Sequence, residues 1–136
     1  MSARTPLRLL RVHLREITRR AVAAARVRQR EIAGVLVSHG DVISLVELPN
    51  VSRRRGRFDL RRDHIKAVAL AARRLGARLV GTFHSHVASE AKPGRGDLAE
   101  AQQDGSLMLI IDTIAREALL WRIRGARAYK VRHEVV

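Results

Sequence analysis

Two histidines and an aspartate lie close together in the stretch GTFHSHVASEAKPGRGDLAEA, residues 81–101. His84 and His86 are separated by one residue, and on a β-strand that spacing directs both imidazoles to the same face. Asp97 follows after ten intervening residues, enough chain for a loop to fold back toward the pair. Two imidazoles and one carboxylate suit Zn²⁺ and leave a fourth position for water, as in catalytic zinc sites.

The spacing alone leaves a second interpretation open, since paired histidines on a strand can also be solvated or salt-bridged. The sequence contains no cysteine, so any metal must be held by histidine, aspartate or glutamate. It also contains neither His-Glu-x-x-His nor Pro-Cys-x-x-Cys, which argues against a zincin or a zinc deaminase. The other histidines share no motif with a partner and are predicted to be ordinary surface or helix residues: His13, His39, His64 and His133.

The first half of the chain is predicted to form strands around a long helix. A short strand at Leu7 to Leu9 precedes an amphipathic helix from Arg11 to Arg28, whose apolar residues recur every three or four positions. Two apolar, β-rich runs at 31–38 and 42–48 flank His-Gly-Asp, which is typical of a hairpin turn. An arginine-dense loop, NVSRRRGRF, follows.

The second half is predicted to place the histidines at the end of a buried strand. Apolar residues from Ile65 to Leu75 indicate a second helix, with Asp59 as its cap and Gly76 just past its end. ARLVGTFHSH then forms the metal strand, and VASEAKPGRG a loop before a short helix near Asp97. Three more strands are expected around 107–112, 117–123 and 127–132. The expected fold is one α/β domain of mixed α+β type, residues 1–136, with a curved mixed sheet flanked by helices.

The net charge of +14 points to an acidic partner or to composition bias. A basic surface attracts acidic macromolecules, nucleic acid included. However, the basic residues are almost all arginine, which GC-biased coding can also produce, and the four aromatic residues are too few for a base-stacking platform. Nucleic-acid binding is therefore a subordinate hypothesis.

No apolar run is long enough for a membrane span, and the N-terminus lacks the continuous apolar segment of a secretory signal. An arginine-rich, acid-poor N-terminus could also describe an organellar transit peptide, but the segment is needed as the first helix. We expect a cytoplasmic protein without membrane partners.

The segment HSHVASEAKPGRGD resembles the core signature of the JAMM (MPN-plus, Mov34/JAB-type) metalloisopeptidases, in which His-x-His is followed by ten residues and Asp. Other segments resemble the family in the same order. EIAGVLVSHGD resembles its Glu-x-x-Gly strand, VELPN the strand ending in Pro-Asn, and ALLWRIR a late strand bearing a tryptophan. The resemblance spans nearly the whole chain and implies a small prokaryotic-type member with the JAMM/cytidine-deaminase-like fold.

The resemblance implies that His84, His86 and Asp97 bind one zinc ion per chain, and that Glu31 is the general base toward the zinc-activated water. Zinc lowers the pKa of its water to about 7, so a nearby carboxylate can take the proton. Judged from the residues alone, the favoured interpretation of Glu31 is a structural ion pair with Arg26, Arg28 or Arg30.

The chain departs from the family pattern at two positions. A serine is usual three residues before the aspartate, where its hydroxyl stabilises the tetrahedral intermediate, but this chain has Gly94. Loss of one such donor can cost about 10²–10³ in rate. Ser85, Arg95 or a backbone N–H could compensate. The proline usual after the second histidine is Val87.

The predicted function is zinc-dependent hydrolysis after the C-terminal tail of a ubiquitin-like or sulfur-carrier-like protein. A Gly-Gly tail would suit a narrow groove, and an exposed strand edge beside the site could take it as an extra strand. The alternatives are a weak or inactive JAMM-like scaffold that recruits a partner, favoured by Gly94, and an arginine-rich nucleic-acid-binding domain. The sequence does not give the oligomeric state.

Overall fold

The computed structural model describes residues 6–54, 57–88, 91–94 and 105–136. In chain order these residues form β1 (Leu7–Leu9), α1 (Arg11–Arg28), β2 (Ala33–His39), β3 (Val42–Leu48), α2 (Arg62–Arg74), β4 (Arg78–His86), β5 (Leu107–Asp112), β6 (Glu117–Arg124), β7 (Arg127–Lys130) and β8 (His133–Val135). The fold is therefore the predicted mixed α+β arrangement of a curled sheet and helices.

The sheet explains why the histidines are buried. Within the described residues its strand order is β7-β6-β5-β4-β2-β3-β1-β8, so β4 lies between antiparallel β2 and parallel β5. The edge strands of this part of the chain are β7 and β8. β4 itself offers no free edge to a substrate tail, because both of its sides are already hydrogen-bonded.

Side chains on the two faces of the central strands enter different packing clusters. Phe83 and Ile32 belong to the main core with Ile17 and Ala21 of α1, so α1 covers that face. Ile110 belongs to a second cluster, which also contains Trp121 at its margin. Because side chains alternate along a strand, His84 lies on the face opposite Phe83 and α1.

Gly34 allows β2 to lie close to its neighbours. It pairs with Phe83 of β4, and a Cβ at this position would lie 2.1 Å from the Val46 carbonyl oxygen and 2.5 Å from the Phe83 ring. No other amino acid fits without a shift of the backbone. The glycine of the Glu-x-x-Gly segment thus has a packing role. The glutamate of the same segment, Glu31, lies three residues earlier, where the pairing of β2 with β4 ends.

Several predicted elements are confirmed, including β1, both bounds of α1, and the turn between β2 and β3. Gly76 follows α2 with a φ of +74°. Asp59 as the cap of α2 is wrong: the N-cap is Arg61 and makes no side-chain cap hydrogen bond. The backbone of Asp59 is instead bonded to Asn50 and Val51. The helix predicted near Asp97 lies outside the described residues.

The C-terminal end of the chain adds a strand that the sequence did not predict. β7 ends at Lys130, and β8 pairs in parallel with β1, with Leu7 opposite His133. The Arg11 backbone N–H donates to Val136 at 2.7 Å, which joins this end to the start of α1. No helix in the described parts of the chain is long and apolar enough to cross a membrane.

Candidate metal centre

His84 and His86 converge at the end of β4. Their Nε2 atoms lie 3.1 Å apart, and the two residues are 0% and 7% exposed. Strand alternation directs both rings to one face, as the spacing predicts. At this separation one neutral imidazole can donate a hydrogen bond to the other, and both nitrogens can also face a single cation.

Glu31 lies two residues before β2, at the end where β2 and β4 pair. Ala33 pairs with His84, and the Ser85 N–H donates to the Ile32 carbonyl at 3.0 Å. The same register extended by one more residue places Glu31 across from His86, on the histidine face. Glu31 is only 6% exposed, so a buried carboxylate lies on the strand register next to the two imidazoles.

Arg30, one candidate partner of Glu31, donates hydrogen bonds to the loop after β3. Its guanidinium donates to the carbonyl oxygens of Asn50 at 3.1 Å and Ser52 at 2.7 Å. These bonds hold the loop that follows β3. Arg30 is therefore engaged with this loop in the part of the chain that the structure describes.

Asn50 is a site residue that sequence reasoning did not single out, although it ends the VELPN segment. Its amide group donates to the carbonyl oxygens of Glu31 at 2.9 Å and Arg57 at 3.1 Å. Its side-chain oxygen accepts from the N–H groups of Ser52 and Asp59, each at 3.0 Å. One side chain thus closes the 50–59 loop and ties it to the backbone of Glu31.

Phe58 is held by this loop against β4. Its ring stacks on His84 with centroids 4.5 Å apart and an interplanar angle of 21°. Stacking restricts rotation of the imidazole and shields one of its faces from water. The loop therefore contributes a wall to the site, a role that no local spacing in the sequence indicates.

Ser85 and Gly94, named as compensating or missing oxyanion groups, lie in different surroundings. Ser85 is fully buried, and its hydroxyl accepts from the Ile32 N–H at 2.9 Å. Strand alternation places it on the face away from the histidines, so the structure does not bring it to them. Gly94 lies exposed in the loop after β4.

Trp121 anchors the loop that contains Gly94. Its indole N–H donates to the Ala91 carbonyl at 2.8 Å, and Ala91 is buried against the second core cluster. The Thr113 hydroxyl donates to the His86 carbonyl at 2.9 Å, which fixes the other end of the loop. The tryptophan of ALLWRIR therefore stabilises the loop that follows the two histidines.

A second carboxylate lies near His86 and was not predicted. Asp112 pairs with His86 in the register of β4 and β5 and is 9% exposed. Its Oδ1 accepts from the N–H groups of Ile114 at 2.9 Å and Ala115 at 3.0 Å, so this oxygen stabilises the turn before β6. A buried aspartate at a strand end was the signal that could have drawn attention to it.

Asp97 and Arg95 lie outside the described residues. Within the described ranges, no group of three or more histidine, aspartate or glutamate side chains is placed to hold a metal ion. The pair nevertheless fits zinc, since nitrogens bound at about 2.0–2.1 Å to one tetrahedral zinc lie about 3.3 Å apart. Two buried imidazoles supply half of a four-coordinate site.

One comparison with known proteins shows the family of this chain. A family model described as prokaryotic homologues of the JAB domain matches residues 11–124. No curated protein matches this chain in sequence.

Solved structures share the fold. A protein from Desulfitobacterium hafniense is 21% identical with a TM-score of 0.81 and covers 96% of this chain and 92% of its own. A JAB1/MPN domain protein from Archaeoglobus fulgidus is 21% identical with a TM-score of 0.65, and the match covers 98% of this chain and 100% of that protein. A structure described as JAMM, a metalloprotease-like zinc site in the proteasome and signalosome, is 20% identical, with a TM-score of 0.59 over 97% and 99%.

Proposed function

Because the chain belongs to the prokaryotic homologues of the JAB domain, we propose that it is a zinc-dependent isopeptidase or peptidase of the JAMM type. One observation supports the proposal: two buried imidazole nitrogens converge at 3.1 Å, and Glu31 is buried at the neighbouring end of the strand pairing. Such a concentration of ionisable groups in a low-dielectric setting is typical of catalytic sites.

The residues that would hold the metal are His84 and His86, with Asp97 as the third ligand. Zinc, when bound, supplies a Lewis acid that activates water near neutral pH and polarises a carbonyl group. Glu31 takes the proton of the attacking water and passes it to the leaving amine as the carbon–nitrogen bond breaks. Asn50 and Phe58 hold the glutamate backbone and the His84 ring in place for these steps.

The proposed substrate is a ubiquitin-like or sulfur-carrier-like protein that is processed, or released from a conjugate, after a Gly-Gly tail in the cytoplasm. Glycine lets a chain approach closely to a narrow site. Since β4 is hydrogen-bonded on both sides, the tail would reach the histidines past the strand end and the loop at Gly94 rather than by extending the described sheet.

A fusion of such a protein through Gly-Gly to a reporter tests the proposal. We expect Glu31→Gln to retain zinc and to slow cleavage by about 10²-fold or more, because the proton acceptor is lost. Glu47→Gln is the matched control, since Glu47 bonds Arg20 at 2.6 Å on the far side of β3. Unchanged cleavage by the Glu31→Gln variant would remove Glu31 from the reaction.

The second candidate function is a scaffold that recruits a partner without cutting it. Gly94 favours it, because no hydroxyl occupies the position that the family uses for oxyanion stabilisation. A zinc-loaded wild-type protein that binds the fusion but leaves it intact would support the scaffold and contradict the enzyme.

A further inference from the structure

A groove of about 660 Å³ runs along α1 where the turn into β6 approaches it. Arg15, Arg19 and Arg26 line it from the helix, and Arg116 lines it from the turn. We call it the arginine groove. It is separate from the histidines and is not used by the proposed reaction.

The groove concentrates positive charge without matching negative charge. None of the described residues that line it is acidic. Arg19 bonds Glu16 on the helix surface at 2.6 Å, whereas Arg15, Arg26 and Arg116 form no ion pair with any residue in the described ranges. Several guanidinium groups around one concave surface attract anionic ligands and favour carboxylates, to which arginine can donate two parallel hydrogen bonds.

Apolar side chains line the groove between the arginines. Leu14, Val22 and Val27 contribute, and Val27 is 80% exposed although it is a large aliphatic residue. An exposed apolar surface with a charged rim is typical of a protein interaction site. None of the described residues that line the groove is aromatic, so these residues provide no ring for stacking on nucleic-acid bases.

The groove opens on the sheet face opposite the histidines. Ile17 and Ala21 of α1 pack in the same core cluster as Phe83, while His84 points to the other side of β4. A ligand in the groove would leave Glu31 and the histidines uncovered. It would therefore tether a partner without blocking the candidate metal centre.

We propose that the arginine groove docks an acidic segment of a partner protein. Carboxylates of that segment bind Arg15, Arg26 and Arg116, and its apolar side chains pack on Leu14 and Val22. This proposal stands independently of the proposed function, since it holds for an enzyme and for a scaffold alike.

Fluorescence anisotropy with a short labelled peptide of glutamate pairs separated by leucine tests the docking. We expect the triple variant Arg15→Glu, Arg26→Glu, Arg116→Glu to weaken binding by about tenfold or more, because each attraction becomes a repulsion. The triple variant Arg73→Glu, Arg74→Glu, Arg127→Glu changes the net charge equally at exposed positions outside the groove and should bind nearly as the wild type. Equal weakening by both variants would overturn the proposal.

Two further measurements separate docking from loss of the fold and from other ligands. Arg116 has a left-handed φ of 55°, so Arg116→Gly removes the charge and relieves backbone strain; binding should weaken while the Tm does not fall. A peptide with glutamine in place of glutamate, or serine in place of leucine, should bind more weakly. Tighter binding of a DNA oligonucleotide that displaces the peptide would assign the groove to nucleic acid instead.

Discussion

The side-chain amide of Asn50 donates to the carbonyl oxygen of Glu31 at 2.9 Å. This bond joins the loop after β3 to a residue two positions before β2, so the backbone position of the proposed base depends on a loop distant in sequence. The same side chain accepts from Ser52 and Asp59, and the loop it closes carries Phe58 to His84.

Replacing Asn50 by alanine should loosen the loop and destabilise the protein. Four hydrogen bonds are lost at a partly buried position, and we expect a decrease of about 2–3 kcal/mol in the free energy of unfolding. Urea denaturation measures this decrease, and faster amide exchange at Ser52 and Asp59 would locate it. Asn50→Asp keeps the acceptor oxygen but loses the amide donors, so the Ser52 and Asp59 amides should remain protected from exchange. Loss of this protection in both variants would show that the acceptor bonds do not close the loop.

Phe58 should influence zinc binding without touching the metal. Phe58→Leu keeps an apolar side chain but removes the ring stacked on His84, and zinc affinity should fall by about threefold to tenfold. Competition with a fluorescent chelator measures the affinity. Phe58→Tyr retains the ring and serves as the control. An affinity in the leucine variant equal to that of wild type would contradict a positioning role for the stack.

Gly94 offers a test of the missing oxyanion donor. If that donor limits the rate, Gly94→Ser should increase kcat for the Gly-Gly fusion by about tenfold or more, since one donor can contribute about 10²–10³. Gly94→Ala has the same backbone restriction without the hydroxyl and should not increase kcat. An equal kcat for the two variants would show that the hydroxyl does not contribute.

Gly34 should tolerate no side chain. Gly34→Ala places a methyl group 2.1 Å from the Val46 carbonyl, and we expect about 3 kcal/mol of destabilisation. Gly40→Ala is the comparison, because nothing lies within 4 Å of its Cβ and only its φ of +64° is unfavourable; about 1 kcal/mol is expected. Thermal and urea unfolding measure both, and similar losses would contradict close packing at Gly34.

Local periodicity predicted much of the fold. The three-then-four spacing of α1 and the alternation along β4 fixed the helix bounds and the shared face of His84 and His86. These features depend only on neighbours in the sequence. The turn residues His-Gly-Asp between two apolar runs predicted the hairpin, and Gly40 there has a φ of +64°, which suits glycine.

Features that depend on distant contacts were not predictable in this way. β8 has three residues and exists because it pairs with β1 at the other end of the chain. Asn50 and Phe58 act through a loop whose shape is set by hydrogen bonds to Glu31 and Arg57. Asp59 has the residue type of a helix cap, but these loop bonds hold it two residues before the N-cap, Arg61.

The central claim is that His84 and His86 hold a zinc ion, and the zinc content of the purified protein tests it most directly. We expect about one zinc per chain in the wild type and almost none after His84→Ala or His86→Ala, because each imidazole is a ligand. His64→Ala, on α2, should retain the metal. A wild-type protein without divalent metal, or full zinc content in both ligand variants, would contradict the account.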